Sequence, residues 1–252
     1  MLTQISHGPA TARLPLLIAH GLYGSARNWG VIAKRLSDER QVVAVDMRNH
    51  GNSPWSDSHR YEDMADDLAE VIADIGGTAD VVGHSMGGKA AMMLALRHPD
   101  AVRRLIVADI APVAYGHSQI QFIEAMRAVD LSQVERRSDA AAQLEALGVE
   151  KALQSFFTQS LDVAGQRWRL NLDTLAAEMP RIMDFPQTDA QWPGPALFLS
   201  GGESDYVRPE HRPIIRARFP AARFAKLPGA GHWLHADKPQ EFTATLRAYL
   251  NA

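Results

Sequence analysis

The chain has 252 residues, room for one large domain with a substantial apolar core, and its 46% apolar and 22% charged residues are the balance of a globular protein. Lys and Arg number 26 against 29 Asp and Glu, a net charge of −3 with no basic stripe, which argues against a nucleic-acid partner or a membrane-surface patch. Cysteine is absent, which excludes disulfides, thiolate zinc sites and a cysteine nucleophile and fits a reducing compartment. Residues 1–14 lack the basic-then-apolar pattern of a leader, and apolar runs such as 15–19 are too short to cross a bilayer. A soluble, cytoplasmic protein is expected.

Short apolar runs at 16–19, 41–45, 79–82, 105–108, 196–199 and 224–227 alternate with amphipathic stretches. Such runs, each closed by a turn or polar signal, predict buried strands of a mostly parallel sheet with crossover helices. Between the second and third runs, Met64, Leu68, Val71, Ile72 and Ile75 fall on one helical face, Asp63, Asp66 and Asp67 sit near its positive end, and Gly76-Gly77 closes it. A second helix is predicted over 86–97, halted near Pro99, and a last one over 239–250. The alternation breaks between Pro112 and Pro195, where helical pieces at 120–129, 140–147, 151–159 and 172–179 occur without a clear strand. That stretch is too long for a bare loop. It predicts an α/β core of 1–111 and 196–252, with a helical cap insertion at 112–195; the plainer alternative is a pair of ordinary crossover helices.

Gly83-His84-Ser85-Met86-Gly87 has the form G-x-S-x-G, with a predicted strand running in and a predicted helix running out. Small flanking residues permit the sharp turn that lifts a serine hydroxyl above a sheet, and the helix start offers free amides to a reacting carbonyl. A rival overlaps it: Gly83 to Lys89 also reads G-x-x-x-x-G-K, most of a phosphate-binding loop. The next residue is Ala90, where Mg²⁺ needs a Ser or Thr, which weakens the nucleotide-binding reading.

A serine nucleophile needs a base, most often histidine. His232 follows the run 224–227 through the flexible Pro228-Gly229-Ala230-Gly231 and lies at the sheet edge where catalytic groups gather. His232 and His235 are spaced to share a metal on one helical turn, but no carboxylate motif accompanies them, so neither metal nor organic cofactor is expected. His84 reads as structural, and His7, His59, His98, His117 and His211, without motif context, as surface residues. After the first run, His20-Gly21-Leu22-Tyr23-Gly24 offers a second amide donor at Leu22, beside that of Met86 after the nucleophile; Gly21 and Gly24 let the backbone approach closely.

Together, His20-Gly21, Asp46-Met47-Arg48-Asn49-His50-Gly51-Asn52-Ser53, Gly83 to Lys89, Asp109-Ile110-Ala111-Pro112 and Gly229 to Trp233 resemble the α/β-hydrolase superfamily. More narrowly they resemble its small bacterial esterase and thioesterase branch, related to a mitochondrial α/β-hydrolase-domain protein. The resemblance spans nearly the whole chain and is weakest over 112–195. It implies Ser85 as nucleophile, His232 as base, Leu22 and Met86 as oxyanion donors, and His20, Gly21 and Trp233 facing substrate. It leaves two carboxylates for the acid: Asp205, in the loop after the fifth run, the superfamily's usual place, and Asp109 of the D-I-A-P segment, which the esterase branch uses and which is preferred.

The implied activity is cleavage of small carboxylic esters or thioesters through an acyl-enzyme, with a small-molecule acyl substrate as the partner. Serine rather than aspartate at position 85 argues against the dehalogenase and epoxide-hydrolase branches. Carbon–carbon bond hydrolysis, acyl transfer and perhydrolysis use the same triad and stay open. A non-enzymatic receptor fits poorly with an intact Ser and His. Phe122, Phe156, Phe157 and Trp168 are candidates to line an acyl pocket.

Overall fold

The computed structural model describes residues 1–252. In chain order the first elements are β1 (Gln4–His7), β2 (Leu16–Ala19), α1 (Gly30–Leu36), β3 (Val42–Val45), α2 (Tyr61–Asp74), β4 (Ala79–His84), α3 (Met86–Arg97) and β5 (Val102–Ala108). Then come α4 (Ile120–Ala128), α5 (Arg137–Ala146), α6 (Lys151–Thr158), a two-residue hairpin β6 (Leu161–Asp162) and β7 (Arg167–Trp168), α7 (Leu172–Ala177) and α8 (Met179–Met183). The chain closes with β8 (Ala196–Gly201), α9 (His211–Arg218), β9 (Ala222–Leu227), α10 (Leu234–Asp237) and α11 (Pro239–Leu250).

Seven strands form one sheet in the order β1-β3-β2-β4-β5-β8-β9. Only β1 runs antiparallel, against β3; the other pairs are parallel. The six runs of Val, Ile, Leu and Ala become the parallel strands because both sheet faces are covered, so both sides of each strand can be apolar. The two-residue period still shows in how they divide. Leu17, Ala19, Val43, Val45 and Val81 pack in the layer under α2 and α3, while Leu16, Ile18, Val42, Ala44 and Val82 pack in the layer under α1 and α11.

Register places the site. Ala19 pairs with Gly83, His84 with Ala108, and Ala108 with Leu199, so the carboxyl ends of β2, β4, β5 and β8 lie side by side. The helices α4 to α8 and the small hairpin all lie between β5 and β8 in sequence. No helix is long and apolar enough to cross a membrane.

Several elements depart from the sequence reading. The edge strand β1, half-buried and mixed in polarity, carries no apolar run to betray it. In α9 only Ile215 is buried, so its apolar stripe is too thin to read. The hairpin strands of two residues are shorter than any alternation can reveal. The helix expected over 172–179 breaks, and a new turn of helix starts at Met179 with Pro180 in its first turn, where a missing amide costs nothing.

Candidate active site

Strand β4 delivers the chain to Ser85, which turns sharply into α3 with φ 53° and ψ −120°. A non-glycine residue in this region is strained by about 1–3 kcal/mol. The flanking glycines are steric requirements: a Cβ on Gly83 would sit 2.2 Å from the Gly87 carbonyl oxygen, and one on Gly87 would sit 2.4 Å from those of Ala19 and His20. The G-x-S-x-G spacing therefore records how closely the turn packs on itself and on the end of β2.

His232 lies on the loop after β9, between Ser85 and Asp109. Its Nε2 is 3.1 Å from the Ser85 Oγ, and its Nδ1 is 2.8 Å from the Asp109 Oδ2. The carboxylate accepts a hydrogen bond from Nδ1–H and so fixes the proton there, leaving Nε2 to accept from the serine hydroxyl. Asp109 is fully buried and also left-handed, with φ 51°. Its remaining capacity is filled by the Gly201 amide at 3.0 Å and by the Ser204 hydroxyl. The Tyr206 ring stacks on the imidazole at 4.0 Å between centroids. From beneath, the Nε2–H of His84 donates to the His232 carbonyl at 2.8 Å and so steadies the loop that carries the imidazole.

Of the two carboxylates proposed for this position, the structure brings only Asp109 to the imidazole. Asp205 is 80% exposed and pairs with Arg208 at 3.2 Å. Its loop does reach the site, through neighbours the sequence reading passed over: Ser204 bonds Asp109 and Tyr206 stacks on His232. A serine and a tyrosine flanking an acid carry no motif, so no sequence signal singled them out.

Leu22 and Met86 both line the cavity beside Ser85. The amides of the loop from Leu22 to Ala26 are almost all committed. Tyr23 donates to the His50 Nε2 (3.1 Å), Gly24 to the Gly21 carbonyl (3.0 Å), Ser25 to the Asn28 Oδ1 (2.7 Å) and Ala26 to the Asp46 Oδ1 (2.8 Å). Leu22 alone in this run has no partner. The Met86 amide lies in the first turn of α3, where no helical carbonyl precedes it.

His20, Gly21 and Trp233 line the same cavity. His20 has no polar atom to spare: its Nδ1–H donates to the Gly21 carbonyl at 2.8 Å and its Nε2 accepts from the Met47 amide at 2.9 Å. Burial pulls its pKa down to about 4. It braces the loop and offers the cavity only a ring surface. Trp233 stands at the rim, 37% exposed. His235 stacks flat on Trp29 with centroids 4.2 Å apart. His59, expected at the surface, is fully buried; it accepts from Asn49 through Nδ1 at 3.2 Å and meets the Met86 sulfur through Nε2, also at 3.2 Å.

Lys89, the residue behind the phosphate-loop reading, points into the protein. It is buried, and its Nζ donates to the carbonyls of Met183 (3.0 Å) and Asp184 (2.7 Å) at the end of α8. Burial lowers its pKa to about 7. An ammonium spent on backbone carbonyls is not aimed at a phosphate, so that reading fails.

The cavity above Ser85 has a volume of about 330 Å³, and 15 of its 25 lining residues are hydrophobic, so what fills it is largely apolar. The inserted helices contribute Phe122, Leu153, Phe156, Phe157, Ile182 and Met183. Trp168, the fourth aromatic proposed for this lining, is elsewhere: it is buried and its indole donates to the Met126 carbonyl at 2.8 Å.

A hydroxyl in line with an imidazole and a buried carboxylate, at the carboxyl edge of a parallel sheet, is the build of an α/β-type serine hydrolase. The chain belongs to the α/β hydrolase fold family, whose model matches residues 15–239. It is 44% identical over 251 residues to the mouse (Mus musculus) sn-1-specific diacylglycerol lipase ABHD11, covering 95% of this chain and 82% of that protein. It is 40% identical over 241 residues to the esterase YbfF of Escherichia coli (strain K12), covering 94% and 93%. A solved marine microorganism esterase is similar along 98% of both chains, with a TM-score of 0.91 at 38% identity.

Proposed function

We propose that this chain is a serine hydrolase of small carboxylic esters or thioesters that works through an acyl-enzyme, with Ser85 as nucleophile, His232 as general base and Asp109 as the orienting acid. The observation that carries the reading is the unbroken path from the Ser85 hydroxyl through His232 to Asp109, at 3.1 and 2.8 Å, opening onto an apolar cavity. His232 takes the hydroxyl proton as Oγ attacks the acyl carbon, and the imidazolium so formed faces a carboxylate already positioned for it. The oxyanion is held by the N–H groups of Leu22 and Met86. His232 then protonates the departing alkoxide or thiolate. A water then gives a proton to the same Nε2 as its oxygen attacks the acyl carbon; the bond from that carbon to the Ser85 Oγ breaks, His232 returns the proton to Oγ, and the acid leaves.

Residues 112–195 act in this reading as a cap whose apolar side chains receive the acyl chain. Relatives named esterase and lipase agree with an ester substrate. The test is turnover of a graded series of p-nitrophenyl esters and acyl-CoA thioesters, with fluorophosphonate labelling of Ser85. Labelling at Ser85 with ester turnover that vanishes in Ser85→Ala supports the reading; an unlabelled protein inert to the whole series overturns it.

A further inference from the structure

The segment from Asp46 to Arg60, between β3 and α2, joins parts of the molecule that are far apart in sequence. On one side it is sewn to the inserted region. The Asn49 carbonyl accepts from the Asn171 amide at 3.0 Å, and the Gly51 amide donates to the Arg169 carbonyl at 2.8 Å. His50 forms a bridge with Leu170, and the Asn171 side-chain amide donates to the Asn49 Oδ1 at 3.1 Å. On the other side the His50 Nε2 accepts the Tyr23 amide at 3.1 Å. The His50 Nδ1 faces the Arg48 carbonyl at 2.9 Å. A carbonyl only accepts, so the proton sits on Nδ1 and Nε2 is left as the acceptor. The ring is fully buried, and burial lowers its pKa to about 3, so this neutral tautomer persists across the working pH range.

The bond matters because of where it falls. Tyr23 has φ 65°, a left-handed conformation that a tyrosine adopts only when held. The peptide bonded to His50 is the one that follows Leu22. Without that acceptor a buried amide loses its partner and the turn has reason to rotate, carrying the Leu22 N–H with it.

We propose that His50 is a positioning residue for the oxyanion hole: it fixes the Leu22–Tyr23 backbone, and residues 169–171 of the inserted region in turn hold His50 in place. The inserted region thereby supports the oxyanion site without touching the reacting atoms. The proposal rests on the hydrolase reading and on Leu22 as a donor.

The test compares His50→Leu, His50→Gln and Asn171→Ala in the full chain. The readouts are kcat and KM on a p-nitrophenyl ester, melting temperature, and affinity for an aryl trifluoromethyl ketone, which forms a tetrahedral oxyanion on the serine. In His50→Leu, kcat and ketone affinity fall together by about 10–100-fold, less than or comparable to deletion of a donor, while KM moves little. In His50→Gln, whose amide oxygen can take the Tyr23 proton, most of both is restored. In Asn171→Ala, both fall in step by about 3-fold.

A folded His50→Leu with kcat and ketone affinity near wild type overturns the proposal, as does a folded His50→Gln that falls as far as leucine. Should His50→Leu not fold, Asn171→Ala decides: the proposal stands if kcat and ketone affinity fall together there, and falls if both stay at wild type or only one of them moves. An active wild type with unaffected variants refutes this proposal alone; a wild type inert to esters and to the ketone refutes the hydrolase reading and this proposal with it.

Discussion

The floor and the roof of the cavity are built from opposite materials. Along the floor, buried polar groups are committed to partners: Asp109 to His232, Gly201 and Ser204, His20 to Gly21 and Met47, His50 to Arg48 and Tyr23. Along the roof, Phe122, Leu153, Phe156, Phe157, Ile182 and Met183 present side chains with no N–H or O–H, and only Tyr115 and Gln119 bring polar ones. Directional bonds fix atoms to fractions of an ångström, whereas apolar contact fixes only volume and shape. On the proposed reading, the contrast assigns reaction chemistry to the groups below the scissile bond and substrate choice to those above it.

The sharpest break of that contrast is at the nucleophile. Ser85→Ala should lose about 10⁵–10⁶-fold in kcat on a short ester, measured with purified, folded protein; retention of a hundredth of the rate would mean the floor does not hold the chemistry. Next, Asp109→Asn should lose about 10³–10⁴-fold in kcat, while Asp205→Asn stays within about 2-fold, since only the first carboxylate touches the imidazole. Comparable losses in the two would erase the distinction drawn between the two loops. The roof should answer in a different currency. Phe157→Ala should shift the ratio of kcat/KM between an octanoyl and an acetyl ester by about 10-fold, the scale of a few methylenes in an apolar pocket. A uniform loss across chain lengths would show that Phe157 belongs to the chemistry.

A separate effect concerns acid stability. Burial lowers the pKa of His20 to about 4 and of His50 to about 3, and pushes His59 and His84 well below their usual 6.5. Between pH 6.5 and about 4 the unfolded chain therefore binds more protons than the folded one. Stability is full above pH 6.5 and falls with acidification, each such histidine adding up to about 1.4 kcal/mol per pH unit. Thermal melts across this range should show the decline. His59→Gln should flatten it, and the exposed roof residue His117→Gln should not.

Much of the floor is legible from sequence because close packing leaves marks in residue type. Gly83 and Gly87 flank Ser85 because any side chain there would strike backbone, and His232 follows a glycine-rich loop that must fold back over the sheet. The choice of acid is harder to read. β5 and β8 are neighbours, so the loops after both reach the same imidazole; the left-handed turn at Asp109 aims one carboxylate inward, while Asp205 faces solvent beside Arg208. Nothing local in the sequence distinguishes these outcomes. The roles of His50 and Lys89 are hidden for a similar reason: each depends on a backbone atom, Tyr23 N–H or the Met183 carbonyl, that every sequence contains. The roof is the least legible, its helices short and its strands of two residues, because its design is volume, which many residue combinations satisfy.

Ser85 carries its reactive hydroxyl on a backbone that only glycine adopts freely. Ser85→Gly should accordingly melt above Ser85→Ala, although on the proposed mechanism both should be inert. A library sorted purely for survival of heating would drift toward glycine at this codon, producing sturdier and lifeless proteins. Catalysis must be defended by selection at the very residue where the fold would gladly surrender it.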